Sequence, residues 1–246
     1  MIGKLNNNNE FKFYSKFYVD EVIFNKIKNK NLFLKSYFDD LFCTLNSDNI
    51  HCLTFHRFSN LYSNNRIILN YLKYLKKINK IKLIGISILN LDELEKALKN
   101  RDIDLIQLPF NVLENRWNKI IKKIYKARAN GKIIQVRSIF LQGLLLTSDK
   151  KLWSKANCSN PLKIFEWLDN NLKKTKSRNL QSFLINYILS TDWIDSIVIG
   201  FNQKAEFKNF VNNLNNRKIN KNLLNEIEVN KLHLNEKIIN PVKWKI

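Results

Sequence analysis

The sequence contains little glycine, proline, methionine or cysteine. Its 246 residues include 5 Gly, 3 Pro, 1 Met and 3 Cys. So little Gly and Pro excludes collagen-like and Gly/Pro-rich low-complexity chains. Cys43, Cys52 and Cys158 are widely spaced, with no CxxC or Cys/His ligand pattern, which argues against a disulfide framework and against a metal site. We expect reduced, mostly buried thiols.

Long apolar runs are also missing. No run approaches the roughly eighteen residues that a membrane-spanning helix needs. The first ten residues are polar and include four consecutive Asn, which is not the pattern of a signal peptide. We therefore expect a cytoplasmic protein that does not interact with a membrane.

Acidic residues are scarce relative to basic ones. Lys and Arg number 42 against 21 Asp and Glu, a formal net charge of +21. The excess is mostly Lys and is spread along the whole chain, as expected for a surface composition. With no basic block or known binding motif, we do not expect a nucleic-acid partner, although a basic module for nucleic acid or anionic surfaces remains an alternative.

Short apolar runs alternate with helical patterns from one end of the chain to the other. Such alternation predicts parallel βαβ units in a single domain over residues 1–246, with 219–246 an irregular C-terminal tail. The predicted strands are Phe11–Ser15, Ile50–Phe55, Ile81–Ile86, Ile103–Gln107, Lys132–Val136 and Ser196–Ile199. The predicted helices are Leu32–Leu45, Ile67–Ile78, Leu91–Leu98, Trp117–Ala129, Pro161–Leu172, Leu180–Leu189 and Ala205–Leu214.

A polar residue stands at or directly after the end of nearly every predicted strand. In a parallel barrel, functional side chains lie at the C-terminal ends of the strands and in the loops that follow. The candidates chosen on this basis are Lys16, His56, Ser87, Gln107, Arg137 with Ser138, and the residues after Gly200.

The same segments resemble the aldo-keto reductase family. The matching sequence segments, in chain order, are YSKF (14–17), LTFHR (53–57), LIGISILNLDELEKAL (83–98), IDLIQLPFNVLENRW (103–117), VRSIFLQGLLL (136–146) and IDSIVIGFNQKAEF (194–207). QLPFN followed by FLQGLLL is similar to a bacterial branch of that family. The resemblance implies a (β/α)8 barrel of the TIM type. It also implies an enzyme that transfers hydride from NADPH to a small-molecule aldehyde, ketone or sugar.

The resemblance also implies roles for individual residues. Lys16 would be the lysine that lowers the pKa of a proton-donating tyrosine, and His56 would hydrogen-bond the substrate carbonyl. Ser87 and Gln107 would bind the nicotinamide amide. Ile88 departs from the Asn that is common after the serine, so one amide contact is lost.

The remaining cofactor contacts are less clear. Arg137 stands where many relatives have a tyrosine that stacks on the nicotinamide, and a guanidinium can stack there or reach a phosphate. The resemblance also implies a loop that binds the adenosine phosphates, which would contain Gly200, Asn202, Gln203 and Lys204. The basic pattern for a 2′-phosphate is incomplete, so NADPH is expected and NADH stays open. No metal is expected.

The resemblance lacks the family's opening segment. Nothing before Lys16 matches the part that carries the aspartate and the tyrosine, and Met1–Lys4 resembles the residues just after that tyrosine. We expect an incomplete barrel of about six of eight strands, without the first two βα units, whose open edges invite a partner chain. A missing proton donor costs about 10²–10⁴-fold in rate. A non-catalytic protein that binds a nucleotide or a partner is therefore the alternative.

Overall fold

The computed structural model describes residues 11–62, 66–213 and 218–245. Met1–Lys4 lie outside the described residues. Within them the chain has an α/β fold with one parallel sheet of six strands in the order β1-β2-β3-β4-β5-β6. The strands are β1 (Tyr14–Phe17), β2 (Ile50–Phe55), β3 (Ile81–Ser87), β4 (Leu105–Pro109), β5 (Ile133–Arg137) and β6 (Ser196–Ile197). The expected incomplete (β/α)8 arrangement is confirmed.

Five of the six strands differ in extent from the prediction, and β2 has the predicted bounds. β3 ends one residue later, at Ser87, while β4 lies two residues and β5 one residue further along the chain than predicted. β1 begins at Tyr14 rather than Phe11, because the first pairing contact is from the Cys52 amide to the Phe13 carbonyl, 3.1 Å away, and Phe11 is exposed. β6 ends at Ile197, although the Val198 amide still donates to the Val136 carbonyl at 2.8 Å.

Helices fill the connections between the strands. In the described part of the chain they are α1 (Glu21–Lys26), α2 (Lys30–Leu45), α3 (Ile67–Lys77), α4 (Leu91–Lys99), α5 (Ile121–Ala129), α6 (Lys150–Lys155), α7 (Leu162–Lys174), α8 (Leu180–Leu189), α9 (Lys204–Asn213), α10 (Lys221–Val229) and α11 (Glu236–Ile239). The predicted seven correspond to α2–α5 and α7–α9. Trp117 lies in a 3-10 turn ahead of α5, and Leu214, the predicted end of α9, lies outside the described residues.

Asparagine side chains start many of these helices. The side-chain oxygens of Asn29, Asn90, Asn179 and Asn220 accept hydrogen bonds of 2.8–3.0 Å from backbone amides in the first turns of α2, α4, α8 and α10. Each such cap is worth about 1 kcal/mol relative to alanine. These four asparagines therefore help to specify where their helices begin.

The chain forms two compact units, Met1–Leu108 with Lys122–Ile134, and Pro109–Ile121 with Gln135–Ile246. The single-domain organisation stays a prediction. In the first unit an aromatic cluster covers the helix-facing side of β1 and β2. The Phe17 ring lies 4.8 Å from Phe55 and 5.4 Å from Phe38 of α2, and Phe38 stacks on Tyr71 of α3 at 5.8 Å. These contacts fix α2 and α3 against one face of the sheet.

In the second unit, a buried lysine fixes the C-terminal segment. Lys231 is 4% exposed and its Nζ donates to Tyr187 Oη at 2.6 Å, with Glu228 Oε2 at 3.0 Å and the Glu114 carbonyl at 3.4 Å. Burial lowers the pKa of Lys231 and raises that of Tyr187. The segment after residue 219, expected to be irregular, thus contains helices α10 and α11 and is joined to the core through this network.

The thiols differ in exposure. Cys52 and Cys158 are buried as expected, and burial raises the pKa of Cys52 to about 11. Cys43, on α2, is exposed. The expectation of mostly buried thiols holds for two of the three.

Gly85 in β3 allows the close approach of β2. A Cβ at this position would lie 2.5 Å from Thr54 Oγ1 and 3.0 Å from Cys52 Sγ. Thr54 is the register partner of Gly85, so the clash would fall within the sheet itself. A glycine is needed here for space and not for backbone conformation.

Gly85→Ala is therefore expected to destabilise the protein by about 1–3 kcal/mol, the usual cost of overpacking. Urea unfolding followed by far-UV circular dichroism measures this loss. Thr54→Ala is the matched control, and the double variant Thr54→Ala/Gly85→Ala is expected to recover part of the loss, since it removes the nearest clashing atom. Unchanged stability of Gly85→Ala would contradict the account.

Candidate functional site

Lys16 and His56 lie at the C-terminal ends of neighbouring strands. Lys16 is in β1 and pairs in register with Thr54 of β2. His56 directly follows β2, and its amide donates to the Phe17 carbonyl at 3.0 Å, so strand pairing continues up to this residue. Both side chains are exposed. The structure thus places these two predicted residues side by side at the carboxyl edge of the sheet.

Strand register puts these side chains on one face. Lys16 is level with Thr54, Thr54 with Gly85, and Gly85 with Leu105. In register-aligned parallel strands, level residues point to the same side, and so do residues two positions further along. Lys16, Thr54, His56 and Gly85 therefore share the face opposite the aromatic cluster around Phe17.

Ser87 and Gln107 continue this face. They are register partners in β3 and β4, each two residues beyond the Gly85–Leu105 level, and they are 5% and 4% exposed. The amide of Ile88 donates to the Gln107 carbonyl at 2.9 Å, and the Ile88 side chain is buried in the core. A buried serine and a buried glutamine at adjacent strand ends provide neighbouring hydrogen-bonding groups of the kind that a carboxamide requires.

Two further residues surround His56 that the sequence patterns did not single out. The Tyr18 ring centroid lies 6.5 Å from that of His56, and the Arg57 guanidinium carbon lies 4.7 Å above the Tyr18 ring. Both directly extend the strands, since Tyr18 follows β1 and Arg57 follows His56. The strand-end rule that selected Lys16 and His56 would have included them if it had been extended by one or two residues.

Arg137 ends β5 and is half-buried. Its Nη1 lies 3.3 Å from Ser138 Oγ, whereas its buried Nε has no hydrogen-bond partner in the described part of the chain. Burial, together with the charge of Arg116, lowers the pKa of Arg137. A buried guanidinium nitrogen without an acceptor carries a desolvation penalty that a bound anion or carbonyl would relieve.

The loop after Arg137 has an unusual backbone. Ser138, Leu141 and Gln142 have φ angles of +63°, +49° and +54°, and Gly143 has +85°. A left-handed conformation is costly for non-glycine residues and is concentrated at binding sites. Alternation of right- and left-handed residues also turns successive backbone amides toward one side, which suits an anion.

This loop lines a cavity of about 600 Å³ within the second unit. The opposite wall is the segment after β6, with Gly200 and Asn202 among its residues. The amide of Asn202 donates to Glu206 Oε2 at 2.9 Å, and Glu206 also lines the cavity. Gly200 and Asn202, which are predicted to belong to the phosphate-binding loop, thus line this cavity.

Gln203 and Lys204 have a different setting. Both are exposed, neither belongs to the residues that line this cavity, and Lys204 begins α9. Their predicted roles, and those of the other site residues, stay predictions. Among the described residues, no group of three or more His, Cys, Asp or Glu could hold a metal ion. No helix in the described ranges has the length and apolar character needed to cross a membrane.

Arg137→Met is expected to raise the free energy of unfolding by about 1 kcal/mol, because it replaces a poorly satisfied buried cation with an apolar chain of similar length. Thermal and urea unfolding measure the change. Arg101→Met, on an exposed arginine, is the control and should leave stability nearly unchanged. A large loss of stability in Arg137→Met would show that the guanidinium holds the fold together.

Comparisons with known proteins concern the family and the fold. The model of the Aldo/keto reductase family matches residues 16–229. Comparison with the curated proteins gives no match. Among solved structures, the chain resembles the apo form of aldo-keto reductase AKR11C1 from Bacillus halodurans, with a TM-score of 0.71 and 18% identity over 95% of this chain and 76% of that one.

Two other solved structures are similar to the chain. The glycerol dehydrogenase AKR11B4 from Gluconobacter oxydans has a TM-score of 0.66 and 14% identity, over 95% of this chain and 77% of that one. A mutant form of Gox0644 in complex with NADPH has a TM-score of 0.63 and 15% identity, over 93% and 73%. At these identities the structures establish the fold alone. The family match spans most of the sequence and begins at Lys16 itself, and the chain therefore belongs to the aldo/keto reductase family.

Proposed function

We propose that the protein binds NADPH and reduces the carbonyl group of a small aldehyde, ketone or sugar. The observation that carries the proposal is the row of polar side chains at the ends of β1 to β4, where Lys16, His56, Ser87 and Gln107 share one face of a parallel sheet. Carboxyl ends of parallel strands are where barrel enzymes place their chemistry. The family match supports the assignment of these residues to carbonyl reduction.

The residues of the second unit fit the charged part of a nucleotide. The cavity offers left-handed loop backbone at Ser138, Gln142 and Gly143 on one wall and the 200–202 segment on the other. The neighbouring Arg137 has a buried Nε without an acceptor among the described residues. We propose that Arg137, Gly200 and Asn202 hold the cofactor, with Gln203 and Lys204 supplying outer contacts to its phosphates.

The residues of the first unit fit the reacting end. Ser87 and Gln107 would bind the carboxamide of the nicotinamide, which supplies hydride when the cofactor is bound. His56 would donate a hydrogen bond to the substrate carbonyl oxygen and orient it. The positive charge of Lys16 would stabilise the negative charge that develops on this oxygen as hydride is added to the carbonyl carbon.

The charge of the cavity bears on cofactor choice. Glu206 lines it, and the cationic Lys204 stands two residues away at the start of α9. A carboxylate in the wall of a nucleotide site opposes a polyanion, and most strongly the more highly charged NADPH. We propose NADPH as the preferred cofactor, with NADH the alternative that this carboxylate favours.

Glu206→Gln is expected to tighten NADPH binding up to about fivefold, since removal of an exposed like charge is worth at most about 1 kcal/mol. The glutamine retains an acceptor for the Asn202 amide. Titration of NADPH fluorescence measures the Kd, with Glu166→Gln on the exposed surface of α7 as the charge-matched control. Absence of NADPH and NADH binding by the unaltered protein would refute the proposal.

Turnover is measured with the same protein. Consumption of NADPH with a panel of small aldehydes should fall at least tenfold in Lys16→Met, with little change in NADPH affinity. Binding without any turnover would favour the non-catalytic nucleotide-binding alternative.

We also propose that a strand of a partner chain covers the edge of β1. Within the described residues β1 pairs with β2 alone, and Tyr14 is 48% exposed. Uncovered strand edges promote pairing with another chain. Tyr14→Lys is expected to reduce concentration-dependent association in analytical ultracentrifugation, whereas Tyr125→Lys, on α5, should not. Equal behaviour of the two variants would oppose this proposal.

A further inference from the structure

A second cavity in the second unit lies far along the chain from the loop at Ser138. It has a volume of about 320 Å³ and is lined by residues from the end of α7, the middle of α8 and the start of α10. The polar side chains that line it are those of Lys174, Thr175, Lys176, Ser177, Asn186 and Lys218, together with Asn220. None of these residues belongs to the proposed cofactor site.

The cavity is positively charged. Three lysines line it, and no Asp or Glu stands among its lining residues. Lys174 is paired with Glu226 on α10. Lys176 and Lys218 are exposed, and the ion pairs of the described residues around them involve Lys173, Lys174 and Lys231 instead. Two cations therefore remain available to a ligand, which favours an anion.

Asn186 distinguishes this cavity from an ordinary lysine-rich surface. The residue is 4% exposed and lines the cavity from the middle of α8. Its side-chain amide forms no hydrogen bond with any other residue in the described ranges, although its backbone carbonyl accepts from Ser190 Oγ at 2.6 Å. A side-chain amide that lines the cavity without a protein partner is open to a hydrogen bond from a ligand there.

The start of α10 adds further donors, whereas the hydroxyl groups at the end of α7 bond to the protein itself. Thr175 Oγ1 donates to the Asn171 carbonyl at 2.8 Å, and Ser177 Oγ, 2.9 Å away, therefore donates to Thr175 Oγ1. Across the cavity, α10 begins after its cap residue Asn220, which presents the positive end of a nine-residue helix.

We propose that this cavity binds a phosphoryl group, either as a free phosphate or diphosphate or as the phosphate ester of a small metabolite. Lysine ammonium groups, an amide N–H and a helix N-terminus are together donors that phosphate oxygens accept from. The volume corresponds to about ten water molecules, which is enough for a phosphate with a short carbon chain and too little for a dinucleotide.

Isothermal titration calorimetry at fixed ionic strength tests the proposal with three probes: inorganic phosphate, pyrophosphate and glycerol 3-phosphate. Lys218→Ala is expected to weaken binding of the preferred probe about tenfold or more, the effect of one charge-assisted hydrogen bond. Lys163→Ala removes the same charge from the far end of α7 and should change nothing. Tightest binding of phosphate or pyrophosphate would indicate a free anion as the ligand, and tightest binding of glycerol 3-phosphate would indicate a phosphate ester.

Three results would overturn the proposal. One is the absence of binding of all probes by the unaltered protein. Another is equal weakening by Lys218→Ala and Lys163→Ala, which would indicate non-specific attraction to a basic surface. The third is loss of binding in Lys204→Ala but not in Lys218→Ala, which would place the anion near the proposed cofactor cavity.

Asn186→Leu distinguishes binding inside the cavity from general attraction to the lysines, because it removes the side-chain amide and leaves the charge unchanged. It is expected to weaken the preferred probe about tenfold. If this buried variant fails to fold, the exposed Lys218 still decides the question.

Discussion

The in-register parallel pairing of β1 to β4 decides which side chains can act together. Lys16, Thr54, Gly85 and Leu105 lie level across the sheet, and the absence of a side chain at Gly85 lets Thr54 approach closely. Parallel pairing brings every carboxyl end to the same edge, so residues far apart in the sequence become neighbours there. One face takes the aromatic packing of Phe17 and its neighbours, which leaves the polar residues for the other.

Most of the fold could be predicted from local patterns. All six strands of the described chain follow apolar runs, and α2, α4, α8 and α10 begin at asparagines whose side chains cap them. The strand ends that carry Lys16, His56, Ser87 and Gln107 could be predicted because a polar residue after an apolar run is a pattern of the sequence itself. Of these helices, α10 was missed, although Leu223, Leu224 and Ile227 within it have helical spacing.

The features that were not predicted depend on contacts between distant residues. In the sequence, nothing distinguishes Lys231 from the many surface lysines, yet it is buried against Tyr187, 44 positions away. The left-handed residues at Leu141 and Gln142 carry no glycine to indicate a turn. The environments of Arg137 and Asn186 are equally invisible in the sequence, since the burial of an amide or a guanidinium is a property of the folded chain.

Binding of NADPH by the loops that line the cavity of the second unit is the central claim. Hydrogen–deuterium exchange with and without saturating NADPH tests it most directly, because a bound cofactor would cover the backbone of both loops. The account predicts slower exchange in 138–143 and 199–206, with 218–223 unchanged. Unchanged exchange in both loops, or protection confined to 218–223, would contradict it.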